Sequence, residues 1–220
     1  MHILCFGGSI TFGQGDSTGG WVARLRRDLE GQEGLKRPVV YNLGVPGDTT
    51  YDVRGRLCRE ALCRVKLNKQ DNVIIIGIGG NDAAHSIDTD QPVVGLKDFT
   101  ENLNFIIDES KRLASTVIVV GFTPVADQIA KNRMSRKRKT NLYQTPYDSE
   151  IERICRSHGI KHIALMDLFE SRHMNQLISG DGVHPTDEGH NLIYESVVKA
   201  IPLVPKDKAG FVTVSGNSSS

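Results

Sequence analysis

The sequence predicts an α/β fold in which a parallel β-sheet is covered by helices on both faces. Short runs made almost entirely of valine, isoleucine and leucine recur along the chain, as is typical of strands buried on both sides. Segments with apolar residues three and four positions apart lie between these runs, as expected for amphipathic helices. This alternation favours parallel strands joined by right-handed crossovers.

Five strands are predicted, and a helix is predicted after each of them. The strands are His2–Phe6, Val39–Asn42, Asn72–Gly77, Thr116–Gly121 and Lys161–Met166. The helices are Trp21–Leu29, Tyr51–Val65, Leu96–Leu113, Pro146–His158 and Asp187–Ala200. The start of the last helix is marked by Pro185 and Thr186, because acidic Asp187 follows them in the first turn.

The chain length favours a single domain, which we place at residues 1–201. Residues 202–220 are polar and are expected to form a flexible tail. The segment Ala126–Gln144, between the fourth strand and the next helix, is long for a connection and rich in basic residues. These are Lys131, Arg133, Arg136, Lys137, Arg138 and Lys139. The segment is either a solvated surface or a lid, since loops at the carboxyl ends of parallel strands border the ligand crevice.

Composition and charge exclude several classes of protein. With 27 basic and 26 acidic residues, the net charge is +1, so no overall field attracts nucleic acid. The apolar run Ile3–Phe6 is too short for a signal peptide, and no run reaches the roughly eighteen apolar residues that span a bilayer. We therefore expect a cytoplasmic protein without stable membrane insertion, in which Cys5, Cys58, Cys63 and Cys155 are free thiols.

Four glycine-rich or polar segments lie where a ligand site is expected in such a fold, near the carboxyl ends of the strands. They are Gly7–Thr11 after the first strand, Asn42–Asp48 after the second, Gly77–Asp82 after the third, and Asp181–Pro185 before the last helix. Because the carboxyl ends of parallel strands meet at one edge of the sheet, these segments should converge there.

The residue types in these segments suit nucleophilic attack on an ester carbonyl. A serine hydroxyl, here that of Ser9, is a weak nucleophile and needs a base within hydrogen-bond reach. His184 suits that role because histidine titrates near the operating pH. Asp181 lies three residues earlier, and Gly182 between them allows a tight turn. The carboxylate can therefore hold the imidazole Nδ1 and leave Nε2 facing the serine.

The negative charge that develops on the carbonyl oxygen needs hydrogen-bond donors aimed at it. We expect these donors to be the backbone N–H groups of Ser9 and Gly44 and the side-chain amide of Asn81. Each residue alone also fits a structural role, such as a turn glycine or a helix cap, so the hypothesis depends on the joint order of the segments. The remaining histidines are expected to be structural or solvent-exposed: His2, His85, His158, His162, His173 and His190.

The segments resemble, in order, the sequence blocks of the SGNH hydrolases, also called the GDSL esterase/lipase family. Gly7–Thr11 looks like the nucleophile block, and Asn42–Gly47, which contains Gly44, is similar to the block that donates a backbone N–H. Gly79–Asp82 resembles G-x-N-D, and Asp181–Pro185 resembles D-x-x-H-P. One position departs from the family pattern: the aspartate that usually precedes the serine is replaced by Gly8.

The resemblance implies a serine esterase with a three-layer, flavodoxin-like α/β/α fold, no metal and no organic cofactor. It carries the roles given above to the matching residues: nucleophile Ser9, base His184, acid Asp181, and oxyanion donors Ser9, Gly44 and Asn81. Members of this family act on lipid esters, thioesters, acetylated sugars and small aryl esters. The expected partner is therefore a small ester molecule, and the basic segment favours a polar or negatively charged one.

Three alternatives stay open at this point. A nucleotide-binding α/β module is disfavoured, because Gly77–Asp82 lacks the last glycine of G-x-G-x-x-G and no G-x-x-x-x-G-K-[S/T] motif occurs. A catalytically silent binding protein is disfavoured, because every catalytic position is filled. An acyltransferase or thioesterase with the same Ser-His-Asp chemistry is not separated by sequence from a hydrolase of short-acyl, lipid or acetylated-sugar esters.

Overall fold

The computed structural model describes residues 1–31, 37–130, 136–172, 174–205 and 211–213. In chain order its strands are β1 (His2–Gly7), β2 (Val39–Gly44), β3 (Asn72–Gly77), β4 (His85–Ser86), β5 (Thr116–Val120), β6 (Lys137–Arg138), β7 (Lys161–Ile163), β8 (Leu203–Pro205) and β9 (Phe211–Thr213). Five of them form a parallel sheet in the order β2-β1-β3-β5-β7. The predicted fold class is confirmed.

Helices cover both faces of this sheet. They are α1 (Ser9–Phe12), α2 (Gly20–Glu30), α3 (Thr50–Leu62), α4 (Leu96–Leu113), α5 (Asp127–Ala130), α6 (Asn141–His158), α7 (Met166–Glu170), α8 (Met174–Leu177) and α9 (Asp187–Ala200). Side chains of β1 alternate between two apolar clusters, since Leu4 and Phe6 join one cluster and Ile3 and Cys5 join the other. The first cluster includes α3, α4 and α6, and the second includes α2 and α9.

Several element boundaries differ from the predicted ones, and two of the larger differences are at β7 and α6. Strand β7 ends at Ile163, and Met166 begins a helix. Within the described part of the chain this edge strand pairs with β5 alone, over three residues. Helix α6 begins at Asn141 rather than at Pro146, because the Thr140 hydroxyl accepts a hydrogen bond from Tyr143 N at 3.2 Å and caps an earlier start. Pro146 therefore does not mark the first turn of α6, because Thr140 provides an earlier cap.

The basic segment folds partly into regular structure. Helix α5 opens it, and β6 pairs antiparallel with β4, through His85 with Arg138 and Ser86 with Lys137. Lys131 and Arg133 lie outside the described residues. In the predicted tail, β8 pairs antiparallel with β9, while 206–210 and 214–220 lie outside the described part of the chain. No helix among the described residues is long and apolar enough to cross a membrane.

Replacing Gly7 with alanine should destabilise the sheet at the end of β1. A β-carbon at this position would lie 2.3 Å from the Gly77 carbonyl oxygen, a backbone atom that cannot rotate away. We expect the free energy of unfolding to fall by about 3 kcal/mol in urea denaturation. The control is Gly55→Ala in helix α3, where a β-carbon meets no atom within 4 Å and alanine should add about 0.4–1 kcal/mol. Equal stability of the two variants would contradict the packing argument.

Candidate active site

Ser9 lies at the point where β1 ends and α1 begins. Gly7 is the last residue of the strand, and Gly8 N donates to the Gly77 carbonyl oxygen at 3.4 Å, which holds the turn against β3. Ser9 is the first residue of α1, and its backbone N–H has no acceptor among the described residues. The hydroxyl and the backbone N–H of Ser9 therefore lie in a short turn at the carboxyl edge of the sheet, and a hydrogen bond to β3 holds this turn in place.

The structure brings Ser9, His184 and Asp181 into one hydrogen-bonded chain. Ser9 Oγ lies 2.9 Å from His184 Nε2. On the other side of the ring, His184 Nδ1 lies 2.5 Å from Asp181 Oδ2. A carboxylate accepts but does not donate, so Nδ1 carries the proton and Nε2 is the acceptor that faces the serine. The imidazole is only 6% exposed, which shields these contacts from water.

Asp181 is held by a local turn as well as by the imidazole. Its Oδ1 accepts from the Ser179 hydroxyl at 2.9 Å and from the backbone N–H groups of Val183 and His184 at 2.8 and 2.9 Å. Gly182 makes this turn possible with a φ of 77°. Burial alone would raise the pKa of Asp181, but the hydrogen bonds from His184 and Val183 outweigh it and hold the pKa well below its usual range.

The turn that carries Ser9 meets the turn that carries His184 because the connection after α1 is tied to α9. Asp187, in the first turn of α9, accepts from Ser17 N at 2.8 Å and from the Ser17 hydroxyl at 2.5 Å. Buried His190 accepts from Trp21 N at 3.3 Å through Nδ1, and its Nε2 donates to the Gln14 carbonyl oxygen at 3.1 Å. Burial lowers the pKa of His190, which suits a neutral ring that bridges two segments.

Asn81 lies beside the turn that carries Ser9, and both the nitrogen and the oxygen of its amide form hydrogen bonds. Its Nδ2 donates to the Asp48 carbonyl oxygen at 2.8 Å, and its Oδ1 accepts from Lys139 Nζ at 2.8 Å. A β-carbon at Gly8 would lie 3.4 Å from Asn81 Nδ2, so the amide borders the residue that precedes Ser9. The same β-carbon would lie 3.7 Å from the Asp48 carbonyl oxygen, so Gly8 packs at van der Waals distance against both partners of the Asn81–Asp48 hydrogen bond.

Gly44 does not have the free N–H that its expected role requires. Its N–H donates to Asn42 Oδ1 at 3.0 Å. A glycine is needed there for a different reason, because a β-carbon would lie 2.2 Å from Phe12 N in helix α1. Three residues later, Gly47 has a φ of 92° in the turn closed by Asp48 N and the Val45 carbonyl oxygen. Its N–H has no acceptor among the described residues.

A cavity of about 70 Å³ opens next to Ser9. Asn81 and Lys139 line it on the polar side, and Phe122 and Val120 are among its apolar lining residues. No cluster of three or more histidine, cysteine or acidic side chains suited to a metal ion occurs in the part of the chain that is described.

Sequence reasoning missed the role of Lys139 and of the Asp48 carbonyl. A lid was one of two interpretations of the basic segment, but the sequence does not indicate which of its basic residues contacts Asn81. His2, His85, His158 and His190 form hydrogen bonds with groups other than Ser9, and His173 lies outside the described residues. The four cysteines are free thiols, and burial raises the pKa of Cys5 and, to about 12, that of Cys155.

Comparison with known proteins gives this geometry a context. The profile of the GDSL-like Lipase/Acylhydrolase family matches residues 5–192. A lipase/acylhydrolase from Enterococcus faecalis is similar in structure, with 26% identity, a TM-score of 0.69, and 90% of this chain and 93% of that chain covered. No curated protein sequence matches the chain.

Two further structures share the fold. A member of the lipolytic protein G-D-S-L family from Veillonella parvula has 20% identity and a TM-score of 0.67, covering 90% of this chain and 96% of that one. Axe2, an acetylxylan esterase from Geobacillus stearothermophilus, has 19% identity and a TM-score of 0.66, covering 90% and 93%. The family profile spans most of the chain, so this protein belongs to the GDSL-like lipase/acylhydrolase family and is an ester hydrolase.

Proposed function

We propose that the protein is a serine esterase that cleaves carboxylic esters through an acyl-enzyme on Ser9. The observation that carries the proposal is the hydrogen-bonded chain from Ser9 Oγ through the His184 ring to Asp181, with separations of 2.9 and 2.5 Å. A serine needs a base in contact and a carboxylate that fixes the tautomer of that base, and both are supplied here.

The reaction follows from these contacts. Ser9 Oγ attacks the ester carbonyl carbon while its proton passes to His184 Nε2, and Asp181 stabilises the imidazolium. The tetrahedral oxyanion accepts hydrogen bonds from Ser9 N–H and from Asn81 Nδ2. His184 then returns the proton to the leaving alcohol oxygen as the carbon–oxygen bond breaks. Water enters by the same steps in reverse, which releases the acid and restores the serine hydroxyl.

We propose Gly47, in place of Gly44, as the third donor to the oxyanion. The Gly44 N–H is already used by Asn42, whereas the Gly47 N–H has no acceptor among the described residues. Gly47 precedes Asp48, whose carbonyl oxygen accepts from Asn81, so this N–H lies in the same short stretch of backbone as a contact of the oxyanion asparagine.

The substrate class that the site supports best is a small ester with a short acyl group. The cavity next to Ser9 measures about 70 Å³, which suits an acetyl or similar group. Lys139 and Asn81 line it with polar groups, which suits polar esters such as acetylated sugars. The structural neighbour Axe2 is named an acetylxylan esterase, and this name is consistent with such a class.

An active-site probe tests the proposal directly. An alkyl fluorophosphonate should add once to the intact protein, and peptide mapping should find the adduct on Ser9. Ser9→Ala should remain unlabelled. For the acetate, butyrate and octanoate esters of one aryl alcohol, kcat/KM should fall as the acyl chain lengthens. When methanol is added, water should remain the preferred acceptor of the acyl group. Labelling at a different serine would refute Ser9 as the nucleophile, and preferred transfer to methanol would indicate an acyltransferase.

The pH dependence of kcat/KM should follow deprotonation of the base. Histidine ordinarily loses its proton at roughly pH 6.5, and the ring must be neutral at Nε2 to accept the serine proton. We expect kcat/KM for an aryl acetate to rise with pH as the imidazole loses its proton. Rates are measured from pH 5 to 9 and corrected for spontaneous hydrolysis. A flat profile over this range would exclude His184 as the base.

A further inference from the structure

We propose that Lys139 is a positioning residue of the oxyanion hole, which holds the Asn81 amide so that an N–H faces the reacting oxygen. The inference rests on the proposed function and extends it to a residue outside the family's sequence blocks. Lys139 comes from the basic segment, and its Nζ donates to Asn81 Oδ1 at 2.8 Å inside the cavity next to Ser9.

The two contacts of Asn81 permit only one orientation of its amide. An ammonium group only donates hydrogen bonds, and a backbone carbonyl only accepts them. Lys139 Nζ therefore requires Oδ1 on its side, and the Asp48 carbonyl oxygen requires Nδ2 on the other. A flipped amide would place N–H groups against the ammonium and oxygen against oxygen. Without the lysine, the contact with Asp48 is the one remaining contact among the described residues that selects the orientation.

The same contact should make Asn81 a stronger donor. Nδ2 carries two N–H groups, and the Asp48 carbonyl occupies one of them, which leaves the second for the oxyanion. The positive charge of the ammonium group next to Oδ1 polarises the amide and strengthens the hydrogen bonds that its N–H groups donate. The gain is largest when the acceptor carries a full negative charge, so it acts in the transition state more than in the ground state.

The fold selects Lys139 from its basic neighbours. Strand β6 pairs with β4, which begins at His85, four residues after Asn81, so the ribbon places the end of β6 near the oxyanion block. Lys137 and Arg138 within β6 are exposed, whereas Lys139 is half-buried and lines the cavity. The next residue, Thr140, caps α6 and anchors the backbone on the other side.

The first experiment compares Lys139→Met with Lys139→Arg and with the control Lys137→Met, which removes the same charge from an exposed site two residues away. With a neutral aryl acetate, Lys139→Met should lower kcat about tenfold, less than the hundredfold typical of a lost donor, and change KM less than about twofold. Lys139→Arg should recover most of kcat, because a guanidinium still donates to Oδ1. Lys137→Met should match the wild type.

The second experiment asks whether the lysine acts through Asn81. If it does, Lys139→Met should cost less than about twofold in an Asn81→Ala background, because the group it positions is gone. The affinity of a boronic acid, which forms a tetrahedral adduct on serine, provides a second readout that does not depend on turnover. The boronic acid should bind about tenfold more weakly to Lys139→Met than to the wild type. It should bind equally well to Asn81→Ala and to the double variant.

The opposing result is recognition of a negatively charged substrate by Lys139. In that case Lys139→Met would raise KM for a succinate monoester and leave the neutral acetate unaffected, and the positioning role would be overturned. Equal losses in the two Asn81 backgrounds would also overturn it. Thermal melting of each variant separates these results from misfolding, and Lys139→Arg serves as the folded comparison. Activity that survives Ser9→Ala would instead defeat the proposed function.

Discussion

Replacing Ser9 with alanine should lower kcat/KM for an aryl acetate by a factor of about 10⁴ to 10⁶. In the proposed mechanism this variant lacks the oxygen that forms the acyl-enzyme, and the proposed oxyanion donors that remain can assist only direct attack by water. Stopped assays with high enzyme concentration and a spontaneous-hydrolysis blank give the residual rate. The melting temperature should change little, because Ser9 Oγ forms its hydrogen bond with the His184 ring rather than within the core.

The matched control is Ser157→Ala, which removes an exposed hydroxyl from the last turn of α6, where it donates to the Ile154 carbonyl oxygen. This variant should hydrolyse the aryl acetate at the wild-type rate and take up the fluorophosphonate at Ser9. Equal rates for Ser9→Ala and the wild type would discard the serine mechanism. A loss shared by both serine variants would point to damage of the fold.

Asp181→Asn should lower kcat by about 10⁴ with a small effect on KM. The amide retains an oxygen for the backbone N–H groups of Val183 and His184, so the turn can persist. The group that faces His184 Nδ1 then becomes an NH₂, which favours a proton on Nε2. In that tautomer the ring cannot accept the serine proton. Steady-state kinetics measure the loss, and a variant that keeps more than a tenth of the wild-type kcat would remove the carboxylate from the mechanism.

The same substitution should also change how stability depends on pH. The pKa of Asp181 is held below its usual value, so the folded state favours the ionised carboxylate. This contribution is fully present above the unfolded-state pKa of about 3.9 and is lost as pH falls through the lower folded-state pKa. Urea denaturation should therefore show a larger difference between wild type and Asp181→Asn at pH 7 than at pH 2. An equal difference at both pH values would contradict the ionised state.

Several features could be predicted from sequence because their physical causes are local. The valine- and isoleucine-rich runs are sufficient to predict buried parallel strands, and both faces of the sheet are covered in the structure. The turn from Asp181 to His184 spans four residues, so a glycine with a positive φ is enough to bring the carboxylate to the imidazole. The start of a helix is harder to predict where two residues could each mark its first turn, as Thr140 and Pro146 do for α6.

Sequence alone determined the family blocks, the parallel α/β fold and the identity of the candidate serine, histidine and aspartate. Only the tertiary structure decided which groups meet: Ser9 and His184 are 175 positions apart and come together because the loop after α1 is tied to α9. It also decided that Asn42 occupies the Gly44 N–H, and that Lys139 is the described basic residue of its segment that reaches Asn81. The physical reason is that hydrogen bonds between distant segments depend on packing, which residue spacing does not encode.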